Sequence, residues 1–91
     1  MNPEEISVVE NPAQSRFEAQ WDGHLAVADY RVEGDRMVFT HTEVPPAFRG
    51  RGIAEKLVLA GFHAARERKL KIVPLCSYVA VLLQRHSEFA D

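Results

Sequence analysis

The sequence predicts an α+β fold, with two helices packed on a mainly antiparallel sheet in the order β-β-β-β-α-β-α. Three observations lead there. The first half alternates apolar and polar residues with period two, the second half turns to helical spacing, and Pro45-Pro46 marks the change. At 91 residues the expected organisation is one domain, 1–91, with surface enough for one core.

Taken in order, Ile6-Ser7-Val8-Val9 supplies a leading strand, joined onward through Asn11-Pro12. Arg16-Phe17-Glu18-Ala19-Gln20-Trp21 sets Phe17, Ala19 and Trp21 on one face and polar side chains on the other, as in a half-buried strand. Asp22-Gly23 is a tight-turn pair, and His24 to Val32 returns from it. Glu33-Gly34-Asp35 turns the chain again into a strand from Arg36 to Val44. Proline cannot donate to a neighbouring strand, so Pro45-Pro46 closes the ladder.

From Arg51 to Arg68 the spacing is helical. Ile53, Leu57, Ala60/Gly61 and Ala64 recur on one side, opposite Glu55, Lys56, His63, Arg66 and Glu67. The small residues Ala60, Gly61, Ala64 and Ala65 let such a helix sit close on a sheet. Leu70 to Leu75 is a short apolar strand, and Ser77 is the expected N-cap of a last helix running through Tyr78, Val81, Leu82 and Arg85.

Composition narrows the function classes. No run reaches the ~18 apolar residues of a membrane span, and the N-terminus has neither a basic start nor an apolar stretch. The one cysteine, Cys76, cannot build a disulfide scaffold, which points to the cytoplasm or another reducing compartment. Glu4-Glu5 reads as a frayed acidic terminus. The formal net charge of -2 hides a split: residues 1–48 carry nine acidic and three basic side chains, residues 49–91 four acidic and eight basic. The basic half therefore suits an anion.

The most informative stretch is Val44-Pro45-Pro46-Ala47-Phe48-Arg49-Gly50-Arg51-Gly52-Ile53-Ala54. It leaves a strand, turns through two glycines and opens a helix. A helix start leaves about four N–H groups unpaired and carries roughly half a positive charge. Gly50 and Gly52 remove side chains that would hold a phosphate away, and Arg49 and Arg51 add charge-assisted donors. The stretch is no P-loop, which needs Gly-Lys-Ser/Thr, and no dinucleotide fingerprint, which needs glycine where Glu55 stands. On glycines alone, a turn that merely starts a helix fits as well.

Arg49-Gly50-Arg51-Gly52-Ile53-Ala54 resembles the Arg/Gln-x-x-Gly-x-Gly/Ala signature of GNAT-type N-acetyltransferases, with Arg49, Gly52 and Ala54 on the matching positions. His41-Thr42-Glu43-Val44-Pro45 and Pro74-Leu75-Cys76-Ser77-Tyr78-Val79 resemble the minimal members of that superfamily, of about this length. The resemblance implies that the loop of Arg49, Gly50, Arg51, Gly52, Ile53 and Ala54 holds the pyrophosphate of acetyl-coenzyme A. It implies too that Glu43 and Val44 lend main-chain groups to the pantetheine arm. Set beside larger members, the resemblance is to a form without their final strands, and the expectation that follows is a site open to bulky amines.

Acetyl transfer to an amine needs a base, donors for the oxyanion and a stabilised leaving thiolate. Cys76 lies where the last strand gives way to a helix, which favours the thiolate. The resemblance implies a cysteine beside the thioester that can take the acetyl group and pass it on; the plain alternative is a small buried side chain. His41 is either a base or a half-exposed strand histidine. Tyr78 matches by resemblance a tyrosine that protonates the departing thiolate, and equally fits an anchor for the helix. His24 and His63 have weaker claims, Arg85 reads as solvated, and His86 suits the end of the last helix. No short metal-ligand spacing exists, so no metal is expected.

The expected function is therefore an acetyl-CoA-dependent N-acetyltransferase with a small-molecule amine or protein lysine as acceptor. The alternative is a non-catalytic coenzyme A or acyl-CoA binding module. A nucleic-acid patch of Arg49, Arg51, Lys69 and Lys71 is disfavoured, because interleaved aromatics are lacking.

Overall fold

The computed structural model describes residues 6–90 and has the α+β architecture read from the pattern. Glu4 and Glu5 lie outside the described residues. The elements are β1 (Val8–Asn11), β2 (Arg16–Trp21), β3 (His24–Glu33), β4 (Arg36–Glu43), α1 (Ile53–Glu67), β5 (Lys71–Pro74) and α2 (Ser77–Arg85). The five strands form one sheet in the order β1-β2-β3-β4-β5. The first three pairings are antiparallel, and β5 runs parallel to β4. A parallel neighbour requires a crossover, and α1 supplies it.

Turn chemistry sets the antiparallel registers. Asp22 and Gly23 both take positive φ, 50° and 75°, and join Trp21 to its partner His24 in a two-residue hairpin. Glu33 faces Arg36 across a second two-residue turn. The leading strand begins at Val8, two residues later than the apolar run suggests, because Ile6 is drawn into the core at 2% exposure. A turn of 3-10 helix, Pro12–Gln14, follows, with the Asn11 side chain accepting from the Gln14 amide at 3.2 Å.

α1 covers one face of the sheet. Its buried stripe is Ile53, Leu57, Val58, Gly61, Phe62 and Ala65, rotated from the expected one so that Ala60 and Ala64 flank the interface. Gly61 lies where the helix comes closest to the sheet: a Cβ there would stand 2.6 Å from the Phe39 ring. Phe39 meets Phe62 edge-on at 5.6 Å, and Phe17, Ala19, Ala28, Met37, Val79 and Leu82 belong to the same core. Trp21, expected beside Phe17 and Ala19, is 39% exposed because the strand runs past the end of the helix into its hairpin.

Polar ties hold the margins. Glu10 of β1 accepts hydrogen bonds from the Tyr30 hydroxyl and from both ends of the Arg68 guanidinium, joining β1, β3 and the end of α1. Arg68 holds the Glu10 carboxyl below the usual range against a smaller opposing effect of burial, and the Tyr30 hydroxyl adds to the lowering.

Candidate functional site

The site is built along the last half of β4. Opposite β3, Tyr30 pairs with Phe39 but Asp29 pairs with His41, so Thr40 is an extra residue, a β-bulge. One extra residue reverses the facing of every side chain after it. Thr42 therefore lies across from Ala28 on the face that α1 covers, while His41 lies across from Asp29 on the other face.

On its opposite edge β4 loses its partner. The pairing with β5 stops at Phe39 and Pro74, and the Phe39 carbonyl accepts from both the Leu75 and Cys76 amides, at 3.1 and 3.2 Å. There the chain turns away into α2. Residues 40–43 of β4 thus have β3 on one side and no strand of the described residues on the other. A free edge of this kind is where an extended ligand pairs in the manner of an added strand.

The strand runs straight into the glycine loop. Pro45 and Pro46 start a turn of 3-10 helix, Pro46–Phe48, whose Phe48 plugs into the core at 1% exposure and anchors the loop. Val44 is half-buried against the same core. Gly50 and Gly52 have φ of 75° and 73°, which explains why glycine stands at both, and a Cβ at either would meet only open space. Gly52 is the N-cap of α1, and no side chain caps it, so the first-turn amides are left to an anion. The Ile53 side chain belongs to the core, so only its backbone can serve such a ligand. Arg49 and Arg51 are exposed beside it. These features fit the phosphates of a coenzyme.

Glu55, in the same first turn, would repel that anion, yet it is turned toward α2. It lies 2.8 Å from His86 Nε2 and 3.8 Å from Arg85. Arg85, expected in solvent, thus leans on Glu55 while staying largely exposed.

Cys76 is the N-cap residue of α2, half-buried, with Ser77 the first helical residue; the cap expected of Ser77 does not form. The Cys76 Sγ lies 3.6 Å from Thr42 Oγ1 on the free stretch of β4. Burial pushes the thiol up, but hydrogen bonds from the Val79 amide, the Thr42 hydroxyl and the amides of Tyr78 and Thr42 outweigh it, and the thiol falls below the ordinary range. What Tyr78 brings to the sulfur is its amide. Its phenol is 37% exposed, raised above the usual range by burial and then by Glu55, against the opposing charge of Arg85.

The structure therefore brings together Cys76, Thr42, Tyr78 and the free edge of β4, and leads that edge into the loop at 49–54. It does not bring His41 to Cys76, since the bulge sets them on opposite faces. Thr42 is the residue that sequence reasoning passed over. His24 meets Phe48 edge-on at 6.3 Å, and His63 meets Phe89 at 5.0 Å, both exposed. Among the described residues no group of three His, Cys, Asp or Glu side chains could hold a metal ion, and no helix is long and apolar enough to cross a membrane. Lys69 and Lys71 lie past the far end of α1. With 15 residues, that helix separates them from Arg49 and Arg51 by about 22 Å, so the four form no common patch.

A family model for the GCN5-related N-acetyl-transferases matches residues 16–91. The chain is 46% identical over 77 residues to Protein NATD1 of Gallus gallus, covering 81% of this chain and 70% of that protein. With Protein NATD1 of Xenopus tropicalis it shares 39% over 83 residues, covering 87% and 76%. The solution structure of a GCN5-like protein from Staphylococcus aureus superposes with a TM-score of 0.69 at 30% identity, over 98% of this chain and 86% of that one.

Proposed function

Because the chain belongs to the GCN5-related N-acetyltransferase family, we propose that it moves an acetyl group from acetyl-coenzyme A to an amine. One observation carries this reading. A single strand, β4, offers a free backbone edge, ends in an uncapped glycine loop, and holds Thr42 against a thiol depressed at the N-terminus of α2.

Acetyl-coenzyme A, when bound, supplies the activated acyl group. The amides at the start of α1 with Arg49 and Arg51 hold its phosphates, and Glu43 and Val44 align its arm along the edge of β4. Cys76, whose thiol the amides of α2 and the Thr42 hydroxyl draw below the ordinary range, is the nucleophile that takes an acyl group and passes it on. The Tyr78 phenol, protonated at neutral pH as any tyrosine is, is the proton donor to a leaving thiolate. His41, expected as the base, lies on the opposite face of the sheet from Cys76 and is not placed for that step; the Tyr78 phenolate left by the first transfer takes the proton of the attacking amine. The acceptor is an exposed amine, on a small molecule or a protein lysine.

The position of His41 favours one other reading, a coenzyme A binding module without turnover. Thermal shift and mass spectrometry separate the two. Acetyl-coenzyme A at a hundredfold excess over Kd should stabilise the fold by ~2.7 kcal/mol. Arg49→Glu should abolish most of that shift by placing a carboxylate beside the phosphates. No shift at millimolar ligand would sink both readings. A shift without acetylated Cys76, and without any acetylated amine, would leave the binding module.

A further inference from the structure

The far end of α1 holds a feature that the proposed reaction does not use. Between the end of α1, the start of β5 and the 3-10 turn Ser87–Phe89 lies a cavity of about 260 Å3. Its polar lining is Arg66, Lys69, Lys71 and Glu88; Leu70, Ile72 and Phe89 provide the apolar part. That volume is below the usual range of pockets for drug-sized ligands and suits one ring with one substituent.

Its walls are held in place. The Phe89 ring packs against Phe62 at 5.4 Å and His63 at 5.0 Å. The Arg66 guanidinium stacks 4.1 Å above that ring and donates to the Glu88 carbonyl at 2.9 Å. This partner is a neutral carbonyl, so the charge of Arg66 stays uncompensated.

The two lysines are also uncompensated: neither makes an ion pair with a carboxylate of the described residues, and neither does Glu88 with a cation. Nor are the lysines needed to satisfy the end of the helix. The Lys69 amide bonds the Arg66 carbonyl and the Leu70 amide the Ala65 carbonyl, which is the Schellman closure. The residue in the left-handed position of that closure is usually glycine; here it is Lys69, with φ of 58°. A cation therefore stands at the rim of the cavity where the backbone favours no side chain at all.

We propose that this cavity binds a small aryl phosphate monoester. The three cations less the Glu88 carboxylate balance a dianion, which a phosphate monoester approaches at neutral pH. The Arg66 fork suits its oxygens, and Phe89, Leu70 and Ile72 accept the ring. The site is independent of the transferase reading, since it lies at the opposite end of α1.

Titration of the full-length chain with phenyl phosphate, inorganic phosphate and benzoate, followed by amide NMR, tests it. Phenyl phosphate should shift the amides of residues 69–72, Glu88 and Phe89 saturably and bind more tightly than either of the other two. Lys69→Gly should weaken it about tenfold while leaving the melting temperature unchanged or raised, because glycine takes positive φ freely. No saturable shift up to about 10 mM phenyl phosphate would overturn the proposal. So would equal affinity for inorganic phosphate or benzoate, or affinity untouched by Lys69→Gly.

Discussion

Among single residues, Thr42 decides more than its plain chemistry suggests. Its hydroxyl is 3.6 Å from the Cys76 sulfur and reaches it because the bulge at Thr40 turns residue 42 to the helix-covered face. Burial alone would raise the thiol, so the surrounding donors must outweigh it. Thr42→Val keeps the shape and removes one donor to the thiolate. The alkylation rate of Cys76 follows the thiolate fraction and rises with pH through the thiol pKa. For the native chain the midpoint should lie below that of an ordinary cysteine, and for Thr42→Val it should move up. The stability linked to this group has the matching sign: it is full above the unfolded thiol pKa and is lost as pH falls through the lower folded one. Identical midpoints in the two chains would remove Thr42 from the site. The same bulge explains what was illegible in the sequence here. Unbroken alternation from Phe39 puts His41 on the covered face, and a single unpaired residue reverses that.

At the scale of elements, period-two alternation and turn pairs located β2, β3 and β4 to within a residue, because those signals are local. The ends of contacts were harder to read. That β5 would pair with β4 only as far as Phe39, freeing the edge beyond, depends on where Leu75 and Cys76 turn away, 36 and 37 residues downstream of Phe39. The face of α1 was read one position off because Val58 and Phe62 were not counted in the stripe, although both are fully buried. The small residues were read correctly for their purpose, and Gly61 makes it measurable. Alanine there would gain ~1 kcal/mol of helix propensity. Its Cβ, however, would lie 2.6 Å from Phe39 and 3.3 Å from Phe17, both buried, and overpacking costs about 1–3 kcal/mol. Gly61→Ala should therefore lower the melting temperature by several degrees, since 1 kcal/mol corresponds to about 4–8 °C at this size. A variant at least as stable as the native chain would mean that the Phe39 ring yields and the close approach is slack.

For the whole molecule, the charge split first seen as a change of sign near residue 49 resolves into two cationic sites at the two ends of one helix. Arg49 and Arg51 flank its start, and Arg66, Lys69 and Lys71 surround its end, about 22 Å away. The screening length at physiological salt is about 8 Å, so neither cluster feels an anion bound at the other. The helix between them is packed along its length into one core, which leaves no evident second arrangement through which binding at one end could bias the other. Arg49→Glu should thus weaken acetyl-coenzyme A without altering the affinity for phenyl phosphate, and Lys69→Gly should do the converse. In the double variant each loss should equal that of its single variant to within ~0.5 kcal/mol, the limit for distant sites without shared partners. Titrating each ligand into the four chains, in the presence and absence of the other, measures this directly. A cross-effect beyond that limit, or displacement of one ligand by the other, would show that both anions compete for one site and that the basic half of the chain acts as a single surface.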